Sequence, residues 1–233
     1  MESMSPLKAI AFDLDDTIFP ERDYAFGGFR AVAEWAQEAL GIEASQTERE
    51  LCQHFAAGVR GDTFNRWLSE HKLPEQAWVD QMIRVYREHS PRLLPFREVP
   101  ETLSTLAQQY RLGLITQGHA PGQRRKLAAL GLNGRFEQVI VLGEDQRDLW
   151  KPNPYPFQSW LRAMGLRGDE TAYVGDNPLR DFFGSRSLGM WTVRVRRAGG
   201  QHAEEEPATP EHAAHIELPD MRRLPDALRD LVS

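Results

Sequence analysis

Four short segments hold residues whose types and order could transfer a phosphoryl group. Asp13-Leu14-Asp15-Asp16-Thr17 follows an apolar run ending at Phe12, Thr116 closes the run Leu112-Gly113-Leu114-Ile115-Thr116, Lys151-Pro152 opens a loop-to-helix segment, and Gly175-Asp176-Asn177-Pro178-Leu179-Arg180-Asp181 follows Thr171-Ala172-Tyr173-Val174. Such a transfer requires a nucleophile in line with the leaving oxygen, positive charge on the equatorial oxygens and a proton for the departing alkoxide. Asp13 is the candidate nucleophile. Asp15 lies two residues on, where the chain leaves strand geometry, and is the candidate general acid of a first step and general base of a second. The Thr116 hydroxyl, the backbone amides around Gln117 and Gly118, and the fixed charge of Lys151 offer a cradle for the transferring group. Asp13, Asp15 and Asp176 make an acidic cluster without Cys or His, which suits a hard octahedral ion, magnesium above all. An ion there would neutralise Asp13 enough for its carboxylate to attack a phosphate dianion. Asp181 is placed to orient either Lys151 or a metal-bound water.

These residues need a scaffold that brings distant segments to one edge, and the apolar periodicity supplies it. Leu7 to Phe12 reads as a buried parallel strand ending in carboxylates. From Pro100 onward helices and apolar runs alternate: a helix with Leu103 and Leu106, the run 112–116, a helix with Leu127 and Leu130, Val139-Ile140-Val141, a helix with Phe157, Trp160, Leu161 and Met164, the run 171–174, a helix over 182–188, and Trp191-Thr192-Val193-Arg194-Val195. That alternation predicts an α/β fold, a doubly wound parallel sheet with helices on both faces, whose ligands bind beyond the carboxyl ends of the strands. A short segment at Ile216 and a last helix with Leu224, Leu228 and Leu231 complete it. Residues 20–95 read differently. Phe29, Val32, Ala33, Ala36, Ala39 and Leu40 recur at helical spacing before Gly41, and three more helical stretches follow without a strand. Thr47-x-x-Glu50 or Ser45-x-x-Glu48 would suit a capping box for the second helix. The chain therefore divides into a core, 1–19 with 96–233, and an all-helical insertion, 20–95. The stretch 197–211, with Glu204-Glu205-Glu206-Pro207, has loop composition, and its acidic run reads as a solvated face.

The four segments, in this order and over nearly the whole chain, resemble the four motifs of haloacid dehalogenase-like hydrolases. The resemblance implies a Rossmann-like core, a small helical cap inserted after the first strand, an aspartyl-phosphate intermediate, and magnesium held by Asp13, the carbonyl of Asp15 and Asp176. Gln117 departs from the pattern, since many relatives carry Asn after the motif Thr. The expected activity is hydrolysis of a small phosphorylated metabolite. A 2-haloacid dehalogenase or a phosphomutase shares the fold; Asp15 and Asp176 argue against the former, which has no use for a metal. A phospho-accepting regulatory module is the non-enzyme alternative, disfavoured by the helical insertion and by Asp15.

Other residues read more plainly. Asp16 suits a turn, Thr17 a loop hydrogen bond, Trp150 packing, and His119 a solvated helix start. Arg60 and Arg66 read as surface arginines ahead of any role on a second substrate anion. Cys52 sits on an apolar helical face, and as the single cysteine it forms no internal disulfide, which points to the cytoplasm. The net charge of −6 disfavours a general nucleic-acid binder, and no segment is apolar over a bilayer-spanning length. Composition does not distinguish a monomer from a homodimer.

Overall fold

The computed structural model describes residues 6–231. Its strands are β1 (Ala9–Phe12), β2 (Arg111–Gln117), β3 (Gln138–Leu142), β4 (Thr171–Gly175), β5 (Trp191–Val195) and β6 (Ile216–Leu218), joined in one all-parallel sheet of order β3-β2-β1-β4-β5-β6. The helices are α1 (Glu21–Leu40), α2 (Ala44–Ala56), α3 (Thr63–Glu70), α4 (Glu75–Glu88), α5 (Val99–Leu106), α6 (Ala120–Ala129), α7 (Tyr155–Met164), α8 (Phe182–Ser187) and α9 (Leu224–Leu231). This is the doubly wound Rossmann-like arrangement expected from the sequence, with the strand order reversing at β1.

The central strand is apolar throughout because it is covered on both faces. All four residues of β1 are fully buried. Ala9 and Ala11 share one face with Ile115 and Tyr173, against Phe157, Trp160, Leu161 and Met164 of α7. Gly113 lies opposite Trp160, and a Cβ there would run into the indole, so glycine lets α7 lie close to β2. Phe12 is in register with Leu114 on one side and Val174 on the other. Asp13, Thr116 and Asp176 are thus delivered to the same edge of three neighbouring strands.

The chain forms two compact units, Met1–Pro20 with Leu94–Ser233, and Glu21–Leu93. The second is helical and closes around Phe29, Leu51, Phe64, Trp67, Leu68 and Met82. Phe29 meets Phe64 edge-on at 6.2 Å. Neither expected capping box forms. Glu43 precedes the first turn of α2 without a side-chain cap, and both expected glutamates have other partners. Glu48 pairs with Arg30 at 3.2 Å. Glu50 accepts from Gln46, Trp67 and His71 at 2.8–2.9 Å. Burial would raise the Glu50 carboxyl, but these donors outweigh it and hold the group below its usual range. Arg60 folds back over the Phe55 ring at 3.6 Å, and Arg66 pairs with Asp62 one turn away. Cys52 is half-buried against the apolar cluster, and burial pushes its thiol up. Among the described residues no helix is long and apolar enough to cross a membrane.

The 197–211 stretch keeps Glu204 and Glu206 exposed, as expected of its acidic run, but its backbone is tied down. Arg194 of β5 is buried, and its guanidinium donates to the carbonyls of Asp176 (3.1 Å), His202 and Glu205 (2.8 Å each). Glu206 pairs with Arg196 at 2.6 Å, and Glu205 with His202 at 3.0 Å. One buried cation therefore ties this loop to the segment after β4. Arg194→Met leaves three carbonyls without their charged donor, and we expect a loss of about 2–4 kcal/mol in urea melts. Faster proteolytic cleavage within 197–209 should accompany it; an unchanged melt contradicts this account.

Candidate active site

Asp13 is the first residue beyond β1, anchored by its own N–H to the Val174 carbonyl at 2.9 Å. Its Oδ1 accepts from Lys151 Nζ at 2.5 Å. The same ammonium donates to Asp181 Oδ1 at 2.7 Å and to the Tyr173 hydroxyl at 2.9 Å. Three donors meet three acceptors, and the whole cluster is buried. Asp181 thus meets Lys151 directly. Its Oδ2 also accepts the Asn177 N–H at 2.9 Å, closing the loop after β4 on itself. Gly175 leaves room for this carboxylate, because a Cβ would collide with it.

Gln117 is spent on the same device. Its Oε1 accepts the Lys151 backbone N–H at 2.7 Å, so the side chain at the position of departure positions the loop bearing the lysine. The Lys151–Pro152 peptide is cis. The Gly118 N–H donates to the Leu142 carbonyl at 3.0 Å, so this expected cradle amide is engaged in the sheet instead. Thr116 is buried at the end of β2, and its Oγ1 accepts from Gln123 Nε2. Trp150 donates to the Gly143 carbonyl at 2.9 Å and has Arg147 over its ring, which is a packing role. His119 stands at the start of α6, where its carbonyl accepts the Gln123 N–H at 3.0 Å.

Asp15 turns its side chain to α6, and among the described residues no three His, Cys, Asp or Glu side chains are grouped as a metal cage. Lys126 Nζ donates to Asp15 Oδ1 at 2.6 Å, and Gln123 Nε2 donates to Oδ2 at 2.8 Å. Asp176 is buried, and its Oδ1 accepts from the Thr17 hydroxyl at 3.3 Å. Asp16 takes a left-handed backbone (φ 53°), as befits its turn.

Electrostatics shows what this edge lacks. Burial, followed by the charges of Asp181, Asp13 and Asp16, pushes Asp176 well above the carboxylate range, and Lys151 offsets only part of this. Asp13 is raised to about 7, by burial first, against the pull of Lys151 and with the push of Asp181 and Asp15. Burial would lower Lys151, but Asp13 and Asp181 outweigh it and keep the ammonium charged. Tyr173 is raised well above its usual value by burial and then by Asp181 and Asp13, so it stays a neutral phenol. Buried acidic oxygens in excess of cations fit a hard divalent ion.

The residues missed in the sequence are Tyr173, Gln123 and Lys126. Tyr173 is the one phenol in a mostly apolar strand. Gln123 and Lys126 are polar residues three apart beside Leu127 and Leu130 on a helix that follows Thr116. Both patterns are visible, but neither says which way the polar atoms point.

The raised Asp13 has a thermodynamic signature in cation-free protein. The unfolded chain releases this proton near 3.8 and the folded protein near 7, so its contribution to stability is complete below the first value and is lost as pH rises through the second. With chelator present, Asp13→Asn lacks that loss. Its melting temperature should therefore rise relative to the parent between about pH 4 and pH 7; a difference constant across that window contradicts the assignment.

Comparison with known proteins follows the same motifs. The family model for haloacid dehalogenase-like hydrolases matches residues 10–195. A glyceraldehyde 3-phosphate phosphatase of Methanopyrus kandleri is 30% identical, over 97% of this chain and 98% of that protein. A phosphoserine phosphatase of Thermus thermophilus is 34% identical over 78% of this chain and 71% of that one. The magnesium-bound HAD-hydrolase YfnB from Bacillus subtilis shares the fold, with a TM-score of 0.67 at 20% identity over 96% of this chain and 99% of that structure. With motif order, sheet topology and relatives in agreement, the chain belongs to the haloacid dehalogenase-like hydrolases and is a phosphoric monoester hydrolase of that family.

Proposed function

We propose that this enzyme hydrolyses a small phosphorylated metabolite with magnesium, through a phosphoryl group carried on Asp13. The observation that carries the reading is the buried ammonium of Lys151, which holds Asp13 by one oxygen and leaves the other for attack. In the first step Asp13 forms a bond to phosphorus as the bond to the leaving oxygen breaks, and Asp15 gives that oxygen its proton. In the second, water attacks the same phosphorus, Asp15 takes the proton back, and Asp13 leaves as a carboxylate with inorganic phosphate. Lys151 and the Thr116 hydroxyl meet charge on the phosphoryl oxygens, and Asp181 and Tyr173 keep Lys151 in place. Phosphatases of this family generally use a divalent metal. Here Asp13, Asp176 and the carbonyl of Asp15 would hold magnesium, which supplies charge neutralisation at the phosphoryl group.

The helical unit Glu21–Leu93 is assigned the role of substrate-selecting cap, because it is inserted directly after the loop bearing Asp13 and Asp15. The relatives named for glyceraldehyde 3-phosphate and phosphoserine support a three-carbon phosphate monoester as the first class to test. The single cysteine supports a cytoplasmic setting.

Purified protein with magnesium should release phosphate from members of a phosphometabolite panel headed by three-carbon monoesters, and excess chelator should stop it. Asp13→Asn should lower kcat by roughly a thousandfold or more while the far-ultraviolet circular dichroism is unchanged. No phosphate release across the panel sinks the reading, as does halide release that survives chelation. A long-lived phosphoprotein without turnover would favour the regulatory alternative.

A further inference from the structure

Lys151 accounts for the placement of Asp13, but not for that of Asp15, whose proton transfers must be equally well aimed. Both Asp15 oxygens are taken by one face of α6, by Lys126 Nζ at 2.6 Å and Gln123 Nε2 at 2.8 Å. Gln123 Nε2 also donates to Thr116 Oγ1, so one amide touches both the acid and the phosphate cradle. The two residues are three apart and therefore neighbours on the helix surface. They are 4% and 5% exposed, whereas Arg124 between them faces solvent. A buried lysine has a cost that only specific partners offset, and here a partner is the side chain on which proton transfer depends.

We propose that Gln123 and Lys126 are positioning residues for the general acid, gripping Asp15 by both oxygens and setting it in register with the Thr116 hydroxyl. The inference rests on the reading of Asp15 as proton donor to the leaving oxygen. A carboxylate on a loop has several open rotamers, and two bonds from a rigid helix, one of them charged, select one. Each oxygen keeps a second lone-pair site, so the grip leaves a place for the proton. Misaiming the donor by about 1 Å costs on the order of a hundredfold in rate.

The need for that proton depends on the leaving group, which separates aim from general damage. An alkoxide is a poor leaving group and must be protonated as its bond to phosphorus breaks; p-nitrophenolate departs without a proton. The ratio kcat/KM isolates transfer to Asp13 from the later attack by water. Lys126→Met and Gln123→Leu should lower kcat/KM roughly 10–100-fold for glycerol phosphate but less than about threefold for p-nitrophenyl phosphate, and Lys126→Arg should recover most of the loss. Gln123→Asn, which shortens the reach but keeps the amide, carries the same comparison if the larger changes do not fold. Equal losses on the two esters, or no loss on either, in variants that melt as folded proteins overturn the positioning role. If wild-type protein does not cleave glycerol phosphate, the best alkyl monoester of the panel takes its place in the comparison, and wild-type protein that with magnesium releases phosphate from no member of the panel overturns the proposed function itself, and this inference with it.

Discussion

The buried ammonium of Lys151 is the interaction on which the rest of the site depends. It joins three residues from different places in the chain, Asp13 beyond β1, Tyr173 in β4 and Asp181 at the start of α8. Burial opposes every charge in this cluster, so each is tolerable only through the others. The supporting contacts serve the same end. Gln117 fixes the lysine's backbone, Gly175 makes room for Asp181, and the Asn177 amide holds the far oxygen of that carboxylate.

Even so, the balance stays negative, and the imbalance is informative. One ammonium is shared by Asp13 and Asp181, and Asp176 has a threonine hydroxyl and no buried lysine of its own. The upward displacement of Asp13 and Asp176 follows from that excess. Buried carboxylates in such excess carry an electrostatic cost. Stability is supplied elsewhere, by the fully buried β1 and by the aromatic packing of α7.

The sheet converts local sequence into common geometry. Equal register of β1 with β2 and β4 puts Asp13, Thr116 and Asp176 at one edge, at the point where strand order reverses. Arg194 extends that order outward, since it grips the Asp176 carbonyl and the 197–211 stretch at once. On the opposite flank α6 meets Asp15 with Gln123 and Lys126.

Much of this was legible in the chain alone. Apolar runs ending in Asp13, Thr116 and Gly175-Asp176 give the parallel sheet and its reactive edge, because a strand buried on both faces is apolar until it leaves the sheet. Helical periodicity without strands marks the insertion, and the ordered motifs carry the family. Which polar atoms meet is decided elsewhere. The capping boxes fail because α2 already starts at Ala44, after Glu43, which puts Ser45 and Thr47 inside the helix, and because Glu48 and Glu50 find Arg30, Gln46, Trp67 and His71. Gly118 gives its amide to β3, Gln117 turns to Lys151, and Asp15 is drawn to a helix more than a hundred residues away. Periodicity reports which side of an element is buried, and that is a local property. A hydrogen bond between distant residues depends on direction and on distances of a few tenths of an ångström, which exist only once the sheet and its helices have packed.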